Sequence, residues 1–374
     1  MYKTIYPSKD STIYERHSER NTGVDQILEL TKTTAGAPIE DILTSGETWD
    51  TTYNSRILLK FDLDRIETDI ASGRIYGSVQ YFLTLRATEA TELPIEYTLM
   101  AHPISGSWVN GTGYYNNNPE IKNGVSWIYR DASTTSWSSS SLSGNVTSSY
   151  ASVIGGGVWY EGTGYDASQS FSYESPDIRM NVTDIVNKWL SGSITNEGFI
   201  LKHTSIAEND SSILGSIKLF SKDTHTIYIP RLEIFWNDYD QTGTGSFEEV
   251  TSDNFIAYIK NLNDTYADTE KPKLRISVRD RYPVKTYSTS SNYIQQLRLP
   301  TESYYAIYDY VTDEPVIDFN EFTKINCDTN GNYIKLNMES FLPERYYKIL
   351  LKVSIDDDDT KIIDDGFYFK IKRT

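Results

Sequence analysis

The chain has 374 residues, a single cysteine, 52 Asp+Glu against 35 Lys+Arg, and a formal net charge of −17. That balance excludes a general grip on nucleic acid, which needs clustered cations to neutralise phosphates, and one cysteine excludes an internal disulfide framework. The 22 Gly, 29 Tyr and heavy use of Ser, Thr and Asn favour an all-β, loop-rich chain long enough for two domains.

From the start, Met1 is followed at once by the strand-like Y-K-T-I-Y, with no charged segment and apolar stretch ahead of it, so no secretory leader is expected. Apolar runs of only a few residues predict no membrane-spanning helix. Ser55 to Leu63 then alternates, with Ile57, Leu59, Phe61 and Leu63 on one face and Leu58, Lys60 and Asp62 on the other. A long insertion from Trp108 to Tyr165 follows, holding Trp108, Tyr114, Tyr115, Trp127, Tyr129, Trp137, Tyr150, Trp159 and Tyr160 among Gly, Ser, Asn and Thr. It exceeds an ordinary hairpin loop. Its rings suit packing on their own sandwich first, a protein interface second and stacking on sugars third.

Asn181 to Leu201 carries the one predicted helix. Val182, Ile185, Val186, Trp189 and Leu190 form an apolar stripe at helical spacing, Asn181 stands at the cap, and Gly192 stands at the stop. Phe199, Leu201 and His203 then alternate with Ile200 and Lys202 as a strand. Ile217 to Lys222 and Pro230 to Trp236 supply two more. The core expected from these patterns contains Leu59, Phe61, Trp189, Phe199, Leu201, Leu232 and Ile234.

In this order the pieces resemble the β-jelly-roll modules known as DNRLRE domains, which are related to a group of carbohydrate-binding modules. The resemblance covers residues 1–237 and implies a jelly-roll β-sandwich with one short helix. Asn237 to Ser246, N-D-Y-D-Q-T-G-T-G-S, has the polar, Gly-rich composition of a linker, assigned to 238–250. Charge is uneven across it. Residues 1–250 hold 18 Lys+Arg against 32 Asp+Glu, and residues 251–374 hold 17 against 20.

Beyond the linker, strand patterns recur at Phe255 to Leu262, Leu274 to Arg279, Tyr304 to Tyr310, Asn332 to Met338, Tyr346 to Val353 and Gly366 to Lys372. With turn signals such as Asn330-Gly331, they predict an immunoglobulin-like sandwich over 251–374. The runs R-Y-Y-K-I-L-L-K-V and I-I-D-D-G-F-Y-F-K-I-K are similar to C-terminal regions of virion proteins from large tailed bacteriophages, including crAss-like phages. That resemblance implies a virion component, assembled in the bacterial host cytoplasm, whose partners are other virion proteins and copies of itself.

No chemistry is readable. His17, His102, His203 and His225 are scattered outside any metal-binding spacing, and no G-x-S-x-G elbow supports a Ser/His/Asp triad. His203 shares a face with Phe199 and Leu201 and is expected to be a satisfied core or interface histidine. Gly155 to Gly157 lacks the Lys-Ser/Thr of a phosphate loop. Asp356 to Asp359, with Asp364 and Asp365, lacks the alternating ligands of a calcium loop and reads as a solvated hairpin tip. No catalytic, cofactor or metal residue is therefore assigned. The expected function is structural: a non-enzymatic adaptor in the neck, tail or an attached appendage, packing through many modest contacts. The alternative is a carbohydrate-binding or adhesin module for host surface glycans. Interface candidates are Trp108, Tyr114, Tyr115, Trp127, Trp137 and Trp159 in the insertion, and Tyr304, Tyr308, Tyr346 and Tyr368 beyond the linker.

Overall fold

Alternating apolar and polar side chains make strands the dominant element of the chain. The computed structural model describes residues 1–34, 52–132, 134–137, 145–148, 155–172, 175–241, 247–284, 294–356 and 359–373. The fold is all-β, with short helices between strands. It comprises two compact units. The larger holds Ile5–Arg74 and Gln80–Glu233; the smaller holds Met1–Thr4, Ile75–Val79 and Ile234–Thr374.

In the larger unit an antiparallel sheet runs in the order Ala167–Ser172, Glu96–Pro103, Phe199–His203, Thr52–Phe61, Ile27–Thr34, Gly215–Phe220, Ala87–Thr91, with Pro7–Tyr14 also pairing to Thr52–Phe61. Thr52–Phe61 is its centre. Leu59 lies opposite both Phe199 and Asp10. Ile57, Leu59 and Phe61 face one way and are wholly buried, as their alternation predicts; Arg56 and Leu58 face the other way and are buried too. A strand covered on both faces needs a second layer, and the tryptophan insertion supplies it. Elsewhere in the unit Ile178–Asn181 pairs antiparallel with Val79–Leu85, Met180 opposite Leu83.

The predicted helix forms as Thr183–Leu190 and buries Ile185, Val186 and Trp189. It begins two residues beyond Asn181, whose Oδ1 accepts the Thr183 N–H at 3.0 Å. Gly192 takes φ +71°, the left-handed stop expected of it. Two further helices, Asp64–Ala71 and Ser205–Asn209, lie where only strand and loop are predicted. The second is capped by Thr204, whose Oγ1 accepts from Ala207 N at 3.2 Å. No helix among the described residues is long and apolar enough to cross a membrane.

The smaller unit has an immunoglobulin-like pair of sheets. One orders Glu248–Glu249, Leu297–Arg298, Lys273–Asp280, Gly331–Lys335, Asn326–Asp328, with Phe255–Ile259 also on Lys273–Asp280; the other orders Thr265–Ala267, Asp359–Lys372, Tyr346–Asp356, Ser303–Asp309, Pro315–Ile317. The chain's first residues are fastened here. The Met1 amino group donates to Trp236 O and Phe322 O, each at 2.7 Å, and pairs with Asp238 at 3.0 Å. Asp238 also meets Lys335 at 3.3 Å, and Asp240 N donates to Asn326 Oδ1 at 2.6 Å. The first residues of the stretch assigned as a linker are thus bonded into this unit, while 242–246 lie outside the described residues.

Candidate interaction face and the buried tryptophan cluster

The described tryptophans of the larger unit turn inward. Trp108, Trp127, Trp137 and Trp159 join Ile13, Leu58, Ile104, Val125, Val158 and Ile200 in one buried cluster. Two of the four indole N–H groups are bonded, Trp108 Nε1 to Glu197 O at 2.9 Å and Trp137 Nε1 to Ser126 O at 3.0 Å, while the buried Trp159 Nε1 has no partner among the described residues. Asn21 ties the insertion down. Its Nδ2 donates to Asn110 O at 2.7 Å and Val125 O at 2.9 Å, and its Oδ1 accepts from Gly113 N at 2.8 Å. Gly111, at φ +76°, lets the chain pass so close that a Cβ there would lie 2.2 Å from Asn21 Oδ1. The four tryptophans therefore serve their own core and offer no open ring face. Tyr115 is half-buried, 4.9 Å from the Tyr14 ring. Tyr114 alone of the six insertion candidates is exposed, at 47%; Tyr150 lies outside the described residues.

Against the same cluster sits a buried charge network. Arg56 forks onto Glu208, Nε to Oε1 at 3.0 Å and Nη2 to Oε2 at 2.6 Å, while Nη1 donates to Gly156 O. Its guanidinium stands 4.9 Å from the Trp127 ring and 5.1 Å from that of Trp159. Lys202 meets Glu208 Oε2 at 3.0 Å and lies 5.2 Å over Trp159. All three charged side chains are buried. Burial by itself raises the Glu208 carboxyl, but Arg56 and Lys202 outweigh it and hold the group below its ordinary range. Desolvation lowers the Lys202 ammonium, with Arg56 adding repulsion.

Asp10 is buried with weaker compensation. Burial pushes its carboxyl up to about 7, against the opposing pull of the Lys222 N–H, 2.6 Å away, and of the Lys222 ammonium at 3.8 Å. A folded-state pKa above the unfolded value gives stability that is full below about pH 4 and lost as pH rises through about 7. Asp10→Asn is expected to abolish that fall. Melting temperatures from pH 4 to 8 should show the variant's advantage growing with pH and levelling above 7; parallel curves would refute the assignment.

The smaller unit presents the opposite arrangement, with aromatic rings facing out. Tyr304, Tyr308, Tyr346 and Tyr368 all lie on the outer face of the sheet built on Tyr346–Asp356, because alternation sends Tyr305, Ile307, Tyr347, Ile349, Phe367 and Phe369 inward. Cross-strand register interleaves the tyrosines with lysines. Tyr308 and Tyr368 flank Lys348, Tyr304 and Ile362 flank Lys352, and Tyr346 lies opposite Lys370. The ammonium groups stand 5.7 Å from the Tyr308 ring, 5.9 Å from Tyr304 and 5.7 Å from Tyr346. Lys348 is also paired with Asp313 at 2.6 Å, and Lys370 with Glu344 at 2.6 Å. Tyr346 and Tyr368 remain 51% and 42% exposed, with Tyr310 at 53% and Ile362 at 59% beside them. The structure thus brings the four tyrosine candidates of this unit onto one face. Lys348, Lys352, Lys370, Tyr310 and Ile362, not singled out in the sequence, complete it.

Among the described residues no group of three His, Cys, Asp or Glu side chains is gathered to hold a metal ion. The side chains of Asp356 to Asp359 lie outside the described residues.

No protein-family model matches the chain, and no curated protein matches it. Among solved structures, the adhesin domain of Epf from Streptococcus pyogenes aligns over 99% of this chain and 98% of that one, at 10% sequence identity and a TM-score of 0.17, a likeness that carries no argument.

Proposed function

We propose that the chain is a non-enzymatic structural or adaptor protein of a tailed-phage virion, in the neck, tail or an attached appendage, and that it packs against other virion proteins and copies of itself through the tyrosine–lysine face of its smaller unit. The observation that carries the packing role is the gathering of Tyr304, Tyr308, Tyr346 and Tyr368 on one side of one sheet. Tyrosine supplies large contact area at small entropic cost, and exposed aromatic rings are enriched at protein interfaces. The virion setting rests on the similarity of R-Y-Y-K-I-L-L-K-V and I-I-D-D-G-F-Y-F-K-I-K to virion proteins. For the carbohydrate-binding or adhesin alternative, the insertion's four described tryptophans are buried and Tyr114 is the exposed ring.

Mass-spectrometric inventory of purified particles is expected to find the chain in a fixed multiple of the portal copy number. Tyr346→Ala with Tyr368→Ala is expected to weaken its association with particles by about 30-fold or more, while thermal stability stays nearly unchanged, as for other exposed sites. Absence from particles would defeat the virion role. Wild-type binding on a glycan array, lost in the same double variant, would transfer the face to the carbohydrate-binding alternative.

A further inference from the structure

His203 closes the strand Phe199–His203 and is 2% exposed, on the side of Phe199 and Leu201. It is a core histidine, as its place in the alternation predicts, but it is not satisfied. Among the described residues neither Nδ1 nor Nε2 has a hydrogen-bond partner. His102 is a contrast, being equally buried but joined through Nδ1 to Asp166 at 2.9 Å. A buried imidazole with two idle nitrogens is costly, and natural proteins keep such groups sparingly.

The charges around it make the neutral form the one the fold accepts. Lys202, on the same strand, donates to the His203 carbonyl at 2.9 Å. Lys32, on Ile27–Thr34, is wholly buried and holds Ala207 O at 2.5 Å and Asp210 at 2.8 Å. Glu208, on Ser205–Asn209, is already taken by Arg56 and Lys202. Three cations, Arg56, Lys32 and Lys202, therefore face two carboxylates, those of Glu208 and Asp210, before His203 is counted. Protonation would add a further positive charge and a second N–H donor, and among the described residues neither ring nitrogen has an acceptor within hydrogen-bond distance.

We propose that His203 is an acid latch: uptake of a proton there unseats the Ser205–Asn209 helix, and with it the Glu208 grip on Arg56 that holds the tryptophan insertion against the sheet. The connection is short. Thr204, the helix cap, is the next residue, and Arg56 passes the constraint to Gly156 O, whose own N–H donates to Trp127 O at 2.7 Å. Burial, helped by Lys202 and Lys32 and opposed by Glu208, lowers the imidazole to about 4 from an ordinary value of 6.5. A depressed folded-state pKa gives stability that is present above 6.5 and lost as pH falls through about 4. Over that interval the latch accounts for about three-hundredfold in the folding equilibrium of the unit.

The test is a titration of the full chain from pH 7 to pH 4, reading hydrogen exchange at residues 199–210 and 155–160 together with the His203 ring-proton resonance. In wild type, proton uptake by His203 is expected well below pH 6.5 and in step with loss of protection in both segments. His203→Phe, which removes the idle nitrogens, should be at least as stable at pH 7 and keep its protection to lower pH. Equal loss of protection in wild type and variant at the same pH would overturn the latch, as would a His203 resonance that titrates near 6.5 with protection intact. If the Phe variant does not fold, His203→Gln serves in its place, and the wild-type resonance decides the question without either.

Discussion

Glu208→Ala is expected to destabilise the larger unit by about 3–5 kcal/mol, the cost of leaving a buried cation without its counter-ion. The geometry sets the size of the effect. Glu208 receives both arms of the Arg56 fork, at 3.0 and 2.6 Å, and the Lys202 ammonium at 3.0 Å, and each of the three side chains is at most 4% exposed. Removing the carboxylate strands two cations against Trp127 and Trp159, whose rings compensate only in part. Neither cation can reach water without moving the insertion. Glu208→Gln, which keeps the shape and loses the charge, should recover little of the loss. Combining Glu208→Leu with Arg56→Met should cost less than the two single changes added together, because the Arg56 charge is removed with its partner, while Lys202 still loses its counter-ion. Denaturant melts of the four proteins check this. Additive losses would mean that the fork is a surface-like pair of small value.

The apolar framework was legible in the sequence because local alternation carries it. Leu59, Phe61, Trp189, Phe199, Leu201, Leu232 and Ile234 are all buried, and the six strands predicted beyond the linker form within a few residues of their expected bounds, apart from an earlier start at Asp359 for the last one, whereas the short strands Glu248–Glu249, Thr265–Ala267, Leu297–Arg298, Pro315–Ile317 and Asn326–Asp328 were not foreseen. The charge network was not legible. Arg56 and Glu208 are 152 residues apart, and a lone Arg or Lys in an alternating strand reads as a solvent-facing position. What buries Arg56 is the insertion, and no local pattern says which face of the sheet a loop of that length will cover. Leu58, apolar on the supposedly polar side of its strand, was the one available signal. The fastening of Met1 to Phe322, 321 residues apart, was equally invisible. Alternation fixes which side chains point together but not which sheet a short strand joins. The interaction face lies between these cases. Its tyrosines were visible one by one, but their common side follows from pairing Tyr308, Lys348 and Tyr368 across three strands.

Trp189→Ala is expected to cost the larger unit about 3–5 kcal/mol, through lost transfer energy and the cavity left behind. Trp189 is 5% exposed, and its ring meets the Phe199 ring edge-on at 4.6 Å; Phe199 in turn lies 6.2 Å from Phe61 on the central strand. The helix Thr183–Leu190 has only eight residues, too short to hold itself together in water, so packing of Ile185, Val186 and Trp189 is what keeps it helical. Truncating the largest of the three should therefore do more than open a void. The helix should fray, exposing Phe199 and then the Leu59 and Phe61 side chains beneath it. Trp189→Phe separates packing from polarity. The Trp189 Nε1–H has no hydrogen-bond partner among the described residues, so phenylalanine gives up some contact area but removes an idle buried donor. It should cost far less than alanine. Thermal melts of both variants, with helix protection followed by hydrogen exchange over 183–190, distinguish the outcomes: an unchanged melt for Trp189→Ala would show that the helix is an ornament on the sheet rather than part of its core.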